Sequence, residues 1–352
     1  METINDKLIL VSGGSGTIGE KLVLTLLKNY SPRRIRIYSR DETKQYFLAK
    51  KLEIYGDKVR YFIGDIRDKE RLNRAMQNVD IVIHLAALKH VGACEYNPFE
   101  AIKTNIIGLQ NIIEASIENN VEKFIFTSSD KAATPSNTMG VTKLMGEKLV
   151  TAANYYKGVT KNGITKRSIF YSVRFGNVLG SRGSLVPIVE NQIKNNQPIT
   201  LTHNEMTRYI MAIDTAINFI IESLALAQGG EIFVKKMKVV KIVDFIEILI
   251  EHFAKKHNKT FESIKVNEIG MFAGEKLYEE LFSIEEANRT YDINDMYVII
   301  PQLPEVSMDI DITNYPKSKK FDVSNPFNSE DSHFLSKGEI KKFLTEKKII
   351  KL

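Results

Sequence analysis

The run Lys7-Leu8-Ile9-Leu10-Val11-Ser12-Gly13-Gly14-Ser15-Gly16-Thr17-Ile18-Gly19 passes from apolar residues through glycines into Leu22, Val23, Leu26 and Leu27 at helical spacing. This reads as strand, glycine turn, helix. Gly13, Gly16 and Gly19 spell G-x-x-G-x-x-G between the two elements, so backbone N–H groups and the positive helix end can meet a pyrophosphate unobstructed. Ser15, Thr17 and Ile18 of the same turn join them as cofactor contacts. A P-loop needs lysine and then Ser or Thr directly after its final glycine, but Glu20-Lys21-Leu22 follow Gly19, so a dinucleotide is the better tenant.

Outward from this turn, apolar strand-like runs at 35–38, 59–63, 80–85, 123–126 and 168–173 alternate with helical patterns, the longest beginning at Pro98. Such alternation predicts an α/β fold with a doubly wound parallel sheet, the Rossmann arrangement, over residues 1–175. From 176 regularity declines, and 176–316 reads as a smaller substrate-binding lobe interleaved with the sheet by a strand at 231–234. The polar stretch 317–352, with a short helix near 338–346, reads as an arm against a neighbouring subunit or a solvated tail.

Composition narrows the setting. The 49 Lys and Arg against 43 Asp and Glu leave a net charge of +6, and the two signs interleave as in 339–348, which makes a solvated surface rather than a nucleic-acid face. One cysteine, Cys94, excludes an internal disulfide and, with no histidine or cysteine at ligand spacing, leaves no metal expected. The acidic start Met1-Glu2-Thr3-Ile4-Asn5-Asp6 fits no signal peptide, and no apolar run approaches the ~20 residues of a membrane span. A cytoplasmic protein without a membrane partner is the expectation.

The cofactor ribose belongs at the end of the second strand. Ser39 and Arg40, helped by Lys44, suit the 2′-phosphate of NADP, while Asp41 leaves NAD open. Asp65 and Ile66 follow the third strand, where Asp65 is placed to accept from the adenine amine. Leu85, Ala86 and Ala87 would pass beneath the cofactor.

After the fifth strand come Thr127-Ser128-Ser129-Asp130-Lys131-Ala132 and then Met139-Gly140-Val141-Thr142-Lys143. With the glycine turn, this resembles the extended short-chain dehydrogenase/reductase superfamily, whose tyrosine-x-x-x-lysine motif here reads Met139-x-x-x-Lys143. A thioether cannot exchange a proton, so the tyrosine's role does not carry over. Ala-Leu-Lys-His-Val at 87–91, Asn-Pro-Phe-Glu-Ala-Ile-Lys-Thr-Asn at 97–105, Arg-Phe-Gly-Asn-Val-Leu-Gly-Ser-Arg-Gly-Ser at 174–184, Met-Thr-Arg-Tyr at 206–209 and Gly-Glu-Lys-Leu-Tyr-Glu-Glu-Leu at 274–281 bring the resemblance closer. Together they look like the UDP-N-acetylglucosamine 4,6-dehydratases of polysaccharide biosynthesis, some of which carry methionine at the tyrosine position.

That resemblance implies a reaction. Oxidation at sugar C4 acidifies the C5 proton, a base removes it, an acid protonates the departing C6 hydroxyl, and hydride returns to C6. Asp130 is then the general acid and Lys131 the general base, adjacent at a turn and facing opposite sides of the carbon pair. A dry cleft beside Lys143 and an oxidised nicotinamide would keep Lys131 neutral. Lys143 holds the nicotinamide ribose. Ser129 is the hydroxyl nearest the sugar 4-OH, whose proton goes to water or to the Ser129–Lys143 pair. Arg182 and Arg208 take the substrate diphosphate, Asn177 and Lys89 touch phosphate or sugar, and Glu275 is a further substrate contact. The resemblance also implies a homo-oligomer, of hexamer size in some readings, supplying capsule or related glycans, with C5 configuration left open. Competing readings are a UDP-sugar 4-epimerase or alcohol dehydrogenase, which need the tyrosine and not the Asp130–Lys131 pair, and a non-catalytic dinucleotide-binding scaffold.

Overall fold

The computed structural model describes residues 3–156 and 168–350. Its main body is a ten-stranded sheet among the described residues. Seven strands run parallel: β1 (Leu8–Ser12), β2 (Arg34–Ser39), β3 (Val59–Ile63), β4 (Ile81–His84), β5 (Lys123–Thr127), β6 (Ile169–Arg174) and, after β7 (Asn177–Val178), β8 (Ile199–Leu201) and β9 (Thr207–Met211) in two smaller sheets, β10 (Ile232–Lys235). Their order, β3-β2-β1-β4-β5-β6-β10, reverses between β1 and β4. Ligands of such sheets bind at the carboxyl ends of the strands beside that reversal.

Side-chain alternation along β1 covers both faces. Ile9 and Val11 pack with Leu22, Val23 and Leu26 of α1 (Thr17–Asn29). Leu8 and Leu10 pack on the other face with Leu72 and Met76 and with Leu109, Ile112 and Ile113. The helical run after Pro98 contains a π-turn at Lys103–Ile107. Its Asn105 side chain accepts from the Leu88 N–H at 2.8 Å and donates to the Leu88 carbonyl at 2.9 Å, fixing the loop that follows β4. Such a bulge inside a helix commonly marks a functional position.

The helix at Thr138–Tyr156 is clamped to β6 by a buried charge cluster. The fully buried Arg174 guanidinium bonds Glu147 of this helix at 2.6 and 3.0 Å and Glu286 at 2.8 Å. Removing one partner of such a cluster strands a buried charge and costs ~3–5 kcal/mol. The same helix carries Met139 and Lys143, so the clamp sets their position.

The later chain crosses to the main sheet more often than the single return at 231–234 that the pattern suggests. The helix Ile213–Leu226 packs on α1, and an antiparallel hairpin, Thr290–Ile293 with Met296–Ile299, extends the sheet beyond β10. The smaller lobe holds β9 (Thr207–Met211) in a three-stranded sheet and helices Leu185–Lys194 and Ile242–Lys256 around their own core. The stretch from 317 corrects the expectation of a solvated tail: Leu335, Ile340, Leu344 and Ile350 are buried in that lobe's core, and a capping box of Ser336 and Glu339 starts the helix Lys337–Glu346. Its apolar residues recur at helical spacing, but polar neighbours dilute the signal. Among the described residues no helix is long and apolar enough to cross a membrane.

Candidate active site

A cavity of about 920 Å3 opens at the carboxyl ends of β1 and β4, floored by the main sheet and roofed by the smaller lobe. The glycine turn forms one end. Gly13 has φ +69°, and a Cβ there would fall 2.8 Å from the Ala86 amide nitrogen, so a bare α-carbon is required where β1 passes β4. Helix α1 starts at Gly16 with no side-chain cap, leaving its first N–H groups free for an anion. These features fit the diphosphate of a dinucleotide.

Every candidate cofactor, catalytic and substrate residue named from the sequence lines this cavity except Asp130. At the ribose end, the Ser15 hydroxyl donates to that of Ser39 at 2.9 Å, and Lys44 pairs with Asp41 at 2.5 Å. Arg40 is largely exposed, its nearest carboxylate being Asp65 at 3.8 Å. Asp65 already accepts from the Arg67 guanidinium at 2.7 Å, a partner the sequence reading missed. Ile66, Leu85, Ala86 and Ala87 complete the walls at this end.

Arg182 lies against the glycine turn rather than deep in the sugar half. Its guanidinium donates to the Ser15 carbonyl at 2.8 Å and to the Thr17 hydroxyl at 3.3 Å, and Lys89 donates to the Arg182 carbonyl at 2.9 Å. The arginine thus latches the smaller lobe onto the turn. Arg208, on β9, is buried and spends its donors on the carbonyls of Thr207, Lys276 and Leu277 at 2.7 to 3.1 Å. Asn177 is exposed on the cavity wall, and Glu275 accepts from the Phe272 N–H at 3.0 Å.

The opposite end is built on β5 and the helix after it. Met139 is buried beside Cys94 and Ala101. Lys143 donates to the Thr127 carbonyl at 2.7 Å and lies 4.7 Å from the Phe126 ring centre. Burial brings the Lys143 ammonium down to about 8, against the opposing pull of Glu147. His84 is also held neutral, pushed to about 3 by burial and by Lys143, and shares a 2.7 Å hydrogen bond with Ser12. It takes no part in the cavity.

Asp130 and Lys131 do not flank the cavity from two sides as their adjacency suggested. Ser129 caps the short turn Asp130–Ala132 and donates to Asp130 Oδ1 at 2.9 Å, which turns Asp130 inward with no exposed side-chain surface. Among the described residues its Oδ2 has no hydrogen-bond partner, and it packs behind Gly176, where a Cβ would come within 2.7 Å of it. Lys131 reaches into the cavity between two carboxylates, 3.1 Å from Asp130 and 3.1 Å from Glu279.

The push toward a neutral Lys131 expected from sequence is opposed by the two carboxylates beside it. Burial pulls the ammonium down, but Asp130 and Glu279 outweigh burial and Arg208, leaving it above the ordinary lysine value. Downward tuning falls on Lys143 instead. Two functional candidates were missed: Glu279, and Ser128, a buried hydroxyl on the cavity wall with no partner among the described residues. Glu279 lay in view within the octapeptide 274–281, but nothing local to it points at Lys131.

The sheet, the glycine turn and the lysine on the helix after β5 define an enzyme of the extended short-chain dehydrogenase/reductase class. Residues 9–301 match the family model described as polysaccharide biosynthesis protein, and the chain belongs to that family. It is 47% identical to an uncharacterized membrane protein of Methanocaldococcus jannaschii, over 97% of this chain and 96% of that one. It is 42% identical to the UDP-N-acetylglucosamine 4,6-dehydratase (inverting) of Campylobacter jejuni, over 88% and 87% of the two chains. The crystal structure of Pen from Bacillus thuringiensis, 40% identical, superposes with a TM-score of 0.89 over 99% of both chains.

Proposed function

We propose that this enzyme removes water from UDP-N-acetylglucosamine to give a UDP-4-keto-6-deoxy-N-acetylhexosamine, with NADP as its recycled cofactor. The observation that carries the reading is Lys131 held between two carboxylates in the cavity that contains the glycine turn. An epimerase or alcohol dehydrogenase has no proton to move at C5 and no use for this arrangement. The 42% identity to an inverting dehydratase supports the same choice.

Gly13, Gly16 and Gly19 would hold the cofactor diphosphate, Lys143 its nicotinamide ribose, and Arg40 the 2′-phosphate that favours NADP over NAD. Bound there, the cofactor supplies hydride removal at C4 and hydride return at C6. The chain's own residues move the protons: the 4-OH proton passes to water or to the Ser129–Lys143 pair, and C5 regains a proton from Lys131 when hydride reaches C6. The elimination uses one proton held between Lys131 and Asp130. Transfer across their 3.1 Å contact gives a neutral amine and a carboxylic acid. Lys131 then takes the C5 proton, electrons flow toward C6, the C6–O bond breaks, and the Asp130 proton leaves with the hydroxyl as water. Gly176, having no side chain, keeps a Cβ from falling within 2.7 Å of Asp130 Oδ2, so only its backbone stands beside the acid. Ser128 offers an unpartnered hydroxyl to the sugar alongside Ser129, whose own hydroxyl caps the Asp130 turn.

Purified protein incubated with NADP and UDP-N-acetylglucosamine should yield a nucleotide sugar lighter by one water in the mass spectrum. A product of unchanged mass with inverted C4 would mark an epimerase, and no conversion with retained cofactor would mark a scaffold.

A further inference from the structure

Glu279 has no part in the elimination as drawn, yet it is buried and lies as close to Lys131 as Asp130 does. Its backbone is fixed from far along the chain. The Glu279 N–H donates to the Ser329 hydroxyl at 2.9 Å, and the Ser329 N–H donates to the Glu279 carbonyl at 2.8 Å. The same buried hydroxyl shares a 2.7 Å hydrogen bond with Thr207 of β9. A carboxylate kept only to balance Arg208 would close on that guanidinium. Here Arg208 is committed to three carbonyls and stands 3.7 Å from Glu279, whereas the Lys131 ammonium is 3.1 Å away.

We propose that Glu279 is a positioning residue for Lys131: it holds the amine in the cavity opposite Asp130 and keeps on the pair, up to a higher pH, the proton that the elimination uses. The proposal rests on Lys131 as the C5 base. The charged groups facing Lys131 are Asp130 from its own turn, Glu279 from the segment after 270, and Arg208 from β9. Burial and Arg208 favour loss of the proton, and the two carboxylates oppose it. With Glu279 neutral, Asp130 alone would face burial and Arg208, so Lys131 would deprotonate at lower pH.

Glu279→Gln, nearly the same size, tests this in the cofactor-loaded enzyme by two readouts. One is the pH dependence of kcat and KM with UDP-N-acetylglucosamine. The other is the pH dependence of Lys131 acetylation by acetic anhydride, read by peptide mass spectrometry without turnover. Both the basic limb of kcat, where the proton shared by Lys131 and Asp130 is lost, and the Lys131 midpoint should move to lower pH by ~1 to 3 units, as expected for loss of an opposite charge at this range. KM should change by no more than roughly threefold, since the group acts through Lys131. Glu279→Asp, which keeps the charge but withdraws it by one methylene, should shift the midpoint less and in the same direction. A Lys131 midpoint equal to wild type in the folded variants would overturn the proposal. A shifted midpoint in a protein that never dehydrates the sugar would uphold the hold on Lys131 and sink the elimination instead.

Discussion

The two ends of the cavity are built by opposite means. At the dinucleotide end, one continuous strand, turn and helix presents backbone N–H groups, and close packing of Gly13 against Ala86 keeps side chains out. At the reacting end, the side chains of Ser129, Asp130, Lys131, Met139, Lys143, Arg208 and Glu279 gather around Gly176 with charges buried against one another. Backbone recognition needs no protonation state, so the first end works as soon as it folds. The second depends on which group holds a proton, and distant segments decide that. Replacements should therefore act on binding at one end and on turnover at the other.

The largest expected effect is at the reacting end. Lys131→Ala should nearly stop elimination while leaving cofactor bound, and Asp130→Asn should slow it by ~10²-fold or more, because the amide cannot deliver a proton. Product formation, measured beside cofactor and sugar affinity, checks the separation. A fall in sugar affinity with unchanged kcat would place these residues in binding instead. Gly176→Ala comes next. Its new Cβ would crowd Asp130 Oδ2 and Tyr209, and turnover should fall by ~10²-fold as the acid is displaced, with NADP affinity unaltered. Normal turnover would show that Asp130 does not act past this glycine.

The smallest effect belongs to the cofactor end. Arg40 is largely exposed and, among the described residues, pairs with one carboxylate at 3.8 Å, so Arg40→Ala should weaken NADP by ~1.5 to 3 kcal/mol and leave NAD unchanged. Titration of both nucleotides against the two proteins checks it. Equal affinities for NADP in wild type and variant would return the ribose end to Asp41 and NAD.

The contrast between the ends also explains what could be read from the chain. Gly13, Gly16 and Gly19 are informative because their spacing is local, and the parallel strands follow from apolar runs punctuated by helices. Asp130 and Lys131 stood out as a motif, but their directions did not. The Ser129 cap turns Asp130 under Gly176, and spacing carries no trace of that rotation. The second carboxylate facing Lys131 escaped notice for the same reason, because Glu279 arrives from a distant loop anchored by Ser329. Arg182 was expected on the substrate diphosphate, yet it bonds the glycine turn, since a guanidinium at a lobe junction takes the nearest carbonyls.

Dehydration carried out in heavy water tests the central claim most directly. If Lys131 takes the C5 proton and the same site restores one from solvent, the product should carry one deuterium at C5, and the hydrogen arriving at C6 should be the one that left C4. Product lacking deuterium at C5, or carrying solvent deuterium at C6 in place of the C4 hydrogen, would contradict a C5 proton transfer through Lys131 with internal hydride return.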